Sequence, residues 1–131
     1  MDPQLALHLD TTRPALSWDQ LDPDEAAVAR VLQWGRANAL QVPEIASAAG
    51  LPRRRTQEVI RRLVCDHAWP VGTSMTEPHG NYLIDSADEL EATYNLLRGR
   101  GLEHLQRAAA LKRMSLQDMI RAVQTEICSL N

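Results

Sequence analysis

The sequence predicts a mainly α-helical fold with one small β-hairpin, followed by further helices. Apolar residues recur at intervals of three and four along most of the chain, which is the spacing of a buried helical face. Between residues 69 and 84 this pattern gives way to two short strand-like segments with a turn-rich loop between them. With 131 residues, of which 44% are apolar, the chain can form one packed domain with helical extensions.

Residues 1–21 are predicted to form an N-terminal arm. Leucines alternate at positions 5, 7 and 9 as in a short strand, but prolines bracket them and no hairpin partner is adjacent. Pairing with another element, pairing with a second subunit and mobility are all compatible with this spacing. Near the end of the arm, Trp18 and Leu21 are placed to pack at the start of the first helix.

The first helix is predicted to begin after Asp22 and to end near residues 37–38. Asp22 and Glu25 have the spacing of a capping box, in which each side chain bonds the backbone of the other residue. Pro23 suits the first helical position. The inward stripe of this helix comprises Val28, Val31 and Leu32, with Trp34 at its margin.

Residues 44–63, EIASAAGLPRRRTQEVIRRL, have the spacing of two helices joined by a sharp turn. Ala46 is small where the helices approach each other, and Gly50 can adopt the positive φ that ends the first of them. Leu51 would fill the corner, and Pro52 would begin a helix that runs to about Asp66. The buried stripe of that helix is predicted to be Thr56, Val59, Ile60 and Leu63.

Two strands are predicted next, WPVGT at 69–73 and NYLI at 81–84, with SMTEPHG between them. This order of elements resembles the winged helix-turn-helix superfamily of bacterial and phage DNA-binding proteins. The resemblance rests on the 44–63 segment and on WPVGTS followed by PHGNYLI, and it covers roughly residues 23–85. It implies a DNA-binding domain over residues 22–85, with the 52–66 helix in the major groove and the hairpin as a wing.

Glu58 and Thr56 depart from the superfamily pattern. Glu58 places an acid on the exposed face of the proposed recognition helix, and Thr56 stands where an aliphatic residue is usual. Glu58 would repel phosphate, although it could accept a hydrogen bond from cytosine.

The candidate DNA contacts on the 52–66 helix fall into two groups. Arg54, Gln57 and Arg61 point away from the buried stripe and could reach base edges, because arginine pairs with guanine and glutamine with adenine. Phosphate contacts are expected at the flanks, from Arg53, Arg55 and Arg62. The alternative is a solvated face in which Glu58 pairs with Arg54, Arg61 or Arg62.

The candidate contacts on the hairpin are Thr73, Ser74, His79 and Asn81. The wing has no Lys or Arg and carries Glu77, which weakens its attraction for phosphate. An ordinary hairpin loop is therefore an equal alternative.

Residues 86–131 are predicted to form a C-terminal extension of two helices. Ser86 and Glu89 have the spacing of a capping box, and the Gly99–Gly101 region is expected to break or kink the first helix. The second helix would start at Ser115. Its stripe either packs within the monomer or forms a homodimer, which we favour; the residues are Leu116, Met119, Ile120, Val123 and Ile127.

Charge and motifs argue against several other classes of function. The net charge is −3, but residues 52–64 contain five arginines and one acid, so positive charge is concentrated on one helix. The sequence has no nucleophile elbow, P-loop or HExxH motif, and it predicts neither an enzyme nor a cofactor. Cys65, His67 and His79 form an incomplete ligand set, so no metal is expected. No apolar run is long enough to span a membrane. The first residues are acidic rather than basic, so they are not expected to form a signal peptide.

The sequence therefore predicts a cytoplasmic, nucleoid-associated homodimer that binds double-stranded DNA as a transcriptional regulator. One alternative is a winged-helix adaptor whose arginine face meets an acidic surface on a polymerase or replication partner. Another is a DNA-binding protein of replication or genome maintenance, which would need the same contacts.

Overall fold

The computed structural model describes residues 13 and 15–130, so the leucines at positions 5, 7 and 9 of the predicted arm lie outside the described residues. The described chain is mainly helical with a two-stranded antiparallel sheet, as predicted. Its elements are α1 (Pro23–Val31), a 3-10 turn (Arg36–Asn38), α2 (Val42–Ala49), α3 (Arg53–Cys65), β1 (Val71–Ser74), β2 (Gly80–Leu83), α4 (Ala87–Leu111) and α5 (Leu116–Leu130). The chain divides into two compact units, the first ending at Thr93 and the second beginning at Tyr94.

The predicted capping box starts α1. Asp22 Oδ1 accepts a hydrogen bond from Glu25 N at 2.8 Å, and Glu25 Oε1 accepts one from Asp22 N at 2.9 Å. Two backbone N–H groups that the helix leaves without partners are thereby satisfied. The helix ends at Val31, so the prediction that it continues to residues 37–38 is wrong.

The chain between α1 and α2 lies along β2, and this pairing replaces the last predicted turns of α1. Leu83 N donates to Gln33 O at 2.7 Å, and Gly35 N donates to Leu83 O at 2.8 Å. Leu40 and Asn81 exchange two backbone hydrogen bonds of 3.0 and 2.8 Å. A helix would have used the same backbone groups internally, so the long-range pairing overrides the helical pattern of the segment.

The turn between α2 and α3 has the predicted geometry. Gly50 is left-handed, with φ 73° and ψ 33°, and Leu51 N donates to Ala46 O at 3.0 Å, which closes the end of α2. The Thr56 side chain is fully buried on the inner face of α3, and its Oγ1 donates to Pro52 O at 3.0 Å. A polar residue is therefore accommodated there, because its hydroxyl group has a partner.

The hydrophobic core of the first unit lies where the three helices α1, α2 and α3 meet the hairpin. Its most deeply buried members are Val28, Ile45, Val59, Leu63 and Trp69. In the sheet, Val71 pairs with Leu83 and Ser74 with Gly80, so each strand lies within two residues of its predicted limits.

The described part of the predicted arm packs on this core. Leu16 and Leu21 contact the buried cluster. The Trp18 ring meets the Trp69 ring edge to face, with centroids 4.9 Å apart, and Trp69 Nε1 donates to Ser17 O at 3.3 Å. Leu21 therefore packs on the core just before α1 begins, whereas the ring contact of Trp18 is with Trp69, which follows α3, rather than at the start of α1 as predicted.

The helix α4 is continuous from Ala87 to Leu111, so the predicted break near Gly99–Gly101 is wrong. The predicted capping box at its start is only half formed. Glu89 N donates to Ser86 Oγ at 3.2 Å, but the Glu89 carboxylate accepts from Asp85 N at 2.7 Å and from Arg36 N at 2.9 Å. The 3-10 turn thus occupies one carboxylate oxygen of Glu89.

The last helix, α5, begins after Ser115, whose Oγ accepts a hydrogen bond from Asp118 N at 3.1 Å, as predicted. Four of the five residues predicted to form a dimer face are half-buried within the single chain: Leu116, Met119, Ile120 and Val123. Ile127 is exposed. Much of this stripe is therefore already covered in the monomer.

We expect Gly80→Ala to destabilise the protein by about 3 kcal/mol. Gly80 has φ 130°, and a Cβ atom there would lie 2.1 Å from the backbone oxygen of Leu40, so the pairing along β2 would have to open. Chemical unfolding of the wild type and of the variant measures the difference in the free energy of unfolding.

Gly99→Ala is the matched control for that substitution. No atom of another described residue is found within 4 Å of a Cβ at Gly99, and the position is an exposed helix interior. Alanine should stabilise the protein there by about 1 kcal/mol. A similar effect of the two substitutions would contradict the close approach at Gly80.

Candidate nucleic-acid interface

The helix α3 has two sharply different faces. Thr56, Val59 and Leu63 have no exposed surface, because they pack in the core of the first unit. The opposite face is exposed along the whole helix, and its polar residues are Arg53, Arg54, Gln57, Glu58 and Arg61. Arg54, Gln57 and Arg61 follow each other at spacings of three and four, so they form one continuous stripe.

Arg55 and Arg62, two of the predicted phosphate contacts, are engaged in ion pairs along one edge of α3. Arg55 lies 2.9 Å from Asp24 and 3.3 Å from Glu58. Arg62 lies 2.9 Å from Glu58 and 3.8 Å from Asp22. The network joins α3 to the start of α1, so these two guanidinium groups face acids of their own chain.

The same network neutralises the acid on the exposed face. The positive charge of Arg62 and a hydrogen bond from Arg55 hold the pKa of Glu58 below its usual range. The hydrogen bond to Asp24 in turn raises the pKa of Arg55. Glu58 is therefore ionised at neutral pH, but two arginines offset its charge. Of the three partners predicted for Glu58, Arg62 forms an ion pair with it. Its second partner is Arg55, and not Arg54 or Arg61.

Three arginines of α3 remain without an ion pair among the described residues: Arg53, Arg54 and Arg61. All three are exposed, and so is Gln57. Guanidinium groups offer several donors in a planar fork, which suits phosphate oxygens or the O6 and N7 atoms of guanine. The amide of Gln57 can both donate and accept. The stripe can therefore supply cationic and amide hydrogen bonds to one ligand surface.

Two of the predicted hairpin contacts hold the hairpin together. Ser74 is buried, and its Oγ donates to Thr76 O at 2.8 Å. The Asn81 side chain donates to Gly72 O at 3.2 Å and to Thr73 Oγ1 at 3.1 Å. Both side chains are thus satisfied inside the chain and stabilise the sheet.

The other two predicted hairpin contacts differ in exposure. Thr73 is half-buried, and its backbone N–H donates to Thr93 Oγ1 at 3.1 Å. His79 is exposed, and its Nδ1 lies 3.1 Å from Glu77 Oε1. Of the four predicted residues, His79 is the one that is exposed and within reach of a ligand at the loop.

A cation that the sequence analysis missed lies against the hairpin loop. Arg36 Nη1 donates to Thr76 Oγ1 at 2.8 Å and to Glu77 O at 3.4 Å. The residue is exposed and forms no ion pair in the described part of the chain. Arg36 belongs to the 3-10 turn, forty residues before Thr76, so no local spacing could reveal this contact. The loop therefore carries a positive charge although its own sequence has none.

The cysteine and histidines considered for metal binding lie in other contacts. Cys65 is exposed, whereas His67 Nε2 lies 3.0 Å from Glu25 Oε1 in a largely buried pair. His79 is beside Glu77. Across residues 13 and 15–130, no three of His, Cys, Asp and Glu gather in a way that could hold a metal ion.

Comparisons of this chain with protein-family models, with curated proteins and with solved structures find no match. Among the described helices, none combines the length and the apolar character needed to cross a membrane. The geometry of α3 and of the hairpin loop is therefore the basis for assigning a function.

We expect Glu58→Gln to lower stability at neutral pH, with the deficit shrinking in acid. The pKa of Glu58 is lower in the folded state, so its contribution is present above about pH 4.3, the unperturbed value, and is lost as the pH falls through the folded pKa. The effect should be small, since the network is exposed. Thermal unfolding at pH 7 and pH 3 measures it.

Glu103→Gln is the control, because Glu103 is an exposed acid with no ion pair in the described chain. If Glu58→Gln lowered the stability by the same amount at both pH values, the charge of Glu58 would not be the source of its contribution.

Proposed function

We propose that this chain is a winged helix-turn-helix protein that binds double-stranded DNA, with α3 in the major groove and the β1–β2 hairpin as the wing. In this proposal it is a cytoplasmic transcriptional regulator. The observation that carries the proposal is the α3 stripe: Arg54, Gln57 and Arg61 are exposed and have no ion pair or hydrogen-bond partner among the described side chains, while Arg55 and Arg62 offset the charge of Glu58 beside them.

The arrangement of elements supports this proposal. The left-handed Gly50 separates α2 from α3, both helices pack on α1, and the hairpin follows α3 directly. The chain between α1 and α2 pairs with β2 through Trp34 and Leu40. A helix-turn-helix flanked by a short hairpin presents its second helix to a groove about 12 Å wide, which admits one α-helix.

The length of the stripe fits a short recognition site. Arg54 and Arg61 are seven residues apart, which is about 10 Å along a helix. Successive base pairs are about 3.4 Å apart, so the stripe would span roughly three of them. In the proposed complex, Arg54, Gln57 and Arg61 meet base edges, and Arg53 meets a phosphate at the start of the helix.

Arg36 extends the proposed contact to the wing. Its guanidinium group uses Nη1 for the loop, and its other nitrogens, which bond no described residue, can serve an acceptor outside the chain. A phosphate near the hairpin loop would accept those hydrogen bonds. The wing then contributes to affinity through Arg36 and His79 rather than through Ser74 and Asn81.

A second candidate function uses the same face for a protein. Val64 is 38% exposed and extends the stripe by one turn beyond Arg61, which would suit the apolar centre of a protein interface. The partner would present an acidic surface, as on a component of the transcription or replication machinery. A folded protein that fails to bind DNA at low salt would favour this candidate.

We expect Arg54→Ala with Arg61→Ala to lower the affinity for duplex DNA at least about tenfold, since a bidentate contact to a base is worth about 1–3 kcal/mol. Fluorescence anisotropy at several salt concentrations measures both the affinity and its salt dependence. The fold should be unchanged, because both side chains are exposed and neither forms an ion pair with a described residue.

Arg107→Ala with Lys112→Ala is the matched control, since it removes the same charge from exposed positions outside α3. Equal losses in the two double variants would show that net charge, and not the α3 stripe, drives binding. Wild-type protein without measurable binding at low salt would contradict the DNA-binding proposal itself.

We expect Arg36→Ala to reduce the slope of log affinity against log salt by about 0.9, the value for one phosphate contact on B-DNA. Sequence preference should not change, since the proposed contact involves no base. Arg30→Ala, at an exposed arginine on α1 without a described ion pair, is the comparison. An unchanged slope for Arg36→Ala would remove the wing contact but leave the α3 proposal intact.

A further inference from the structure

The first half of α4 exposes three large apolar side chains in succession. Leu90 is 46% exposed, Tyr94 56% and Leu97 52%. Their spacings of four and three place them on one side of the helix, where we refer to them as the α4 face. Exposed apolar residues are normal when scattered, but a contiguous row marks an interaction surface.

The α4 face is self-complementary about Tyr94. Leu90 lies four residues before Tyr94 and Leu97 three residues after it, so an antiparallel copy of the helix would set each leucine against the other. Glu91 lies three residues before Tyr94 and Arg98 four after it. These two charged residues lie along the same edge of the face, so Glu91 of one copy would meet Arg98 of the other.

The charged pair is available for such a contact. Glu91 and Arg98 are both exposed, and neither forms an ion pair with another described residue. An interface with two-fold symmetry requires one patch that complements itself. Apolar and charged residues that match about one common centre are what a second copy needs, whereas an unrelated partner would not require this symmetry.

We infer that two copies of this chain associate through an antiparallel pairing of their α4 helices, centred on Tyr94. Leu90 contacts the partner's Leu97, the two Tyr94 rings meet at the axis, and Glu91 pairs with the partner's Arg98. This face differs from the one predicted from sequence on α5, of which Leu116, Met119, Ile120 and Val123 are half-buried in the single chain.

Charge reversal tests both the face and its register. In Glu91→Arg alone, each introduced arginine would meet the partner's Arg98, and in Arg98→Glu alone two acids would meet. Each single variant should self-associate about tenfold more weakly than wild type, because two attractive contacts become repulsive. An equimolar mixture of the two variants should restore association, because every contact then joins opposite charges. Sedimentation velocity over a concentration series, without DNA, measures the self-association of each single variant and of the mixture.

Two further variants complete the experiment. Glu103→Arg changes an exposed acid of α4 that lies outside the face, and it should associate like wild type. Tyr94→Glu places two carboxylates at the axis and should be monomeric at concentrations where wild type is paired. Circular dichroism shows whether each variant is folded.

Three results would overturn the inference. They are a wild-type chain that stays monomeric throughout the series, a mixture that associates no better than the single variants, and an Ile127→Glu variant that is monomeric while the α4 variants are unaffected. The last result would place the contact on α5. The inference does not depend on DNA binding, so a paired chain that ignores DNA, or a monomer that binds it, separates the two proposals.

Discussion

The burial of one side of α3 determines what the other side can present. Thr56, Val59 and Leu63 are fully enclosed, and burying an aliphatic side chain of this size stabilises a fold by about 1.5–3 kcal/mol. A surface ion pair contributes about 0–1 kcal/mol. The rotation of α3 about its axis is therefore fixed by its apolar stripe, and the ion pairs act on side chains that this rotation has already placed outside.

Within that constraint, the five arginines of α3 have two roles. Arg55 and Arg62 bind acids, two of which lie at the start of α1, and so stabilise the packing of α3 on α1. Arg53, Arg54 and Arg61 have no such partner in the described chain. Because Glu58 is offset by two guanidinium groups, the local charge of the stripe is positive although the chain as a whole has a net charge of −3. Local potential rather than net charge governs attraction to a polyanion.

The pairing of the α1–α2 connection with β2 has a comparable effect on the hairpin. It ends α1 at Val31, it requires a glycine at position 80 because Leu40 O lies where a side chain would be, and it carries Arg36 to the hairpin loop. One set of backbone hydrogen bonds therefore determines the end of α1, the close packing of Gly80 against Leu40 and the position of the Arg36 side chain. The same 3-10 turn takes up an oxygen of Glu89 at the start of α4.

The sequence by itself determined the features that a few neighbouring residues settle. The capping box of Asp22 and Glu25, the left-handed Gly50, the inner stripe of α3 and the start of α5 at Ser115 all depend on groups within one or two turns of each other. Only the tertiary structure decided where α1 ends and that α4 continues through Gly99. It also decided which backbone N–H groups the Glu89 carboxylate accepts from and which arginines of α3 are already in ion pairs. The continuation of α4 depends on an energy of about 1 kcal/mol, and the others depend on contacts between residues 31 to 53 positions apart, which meet only after the core has formed.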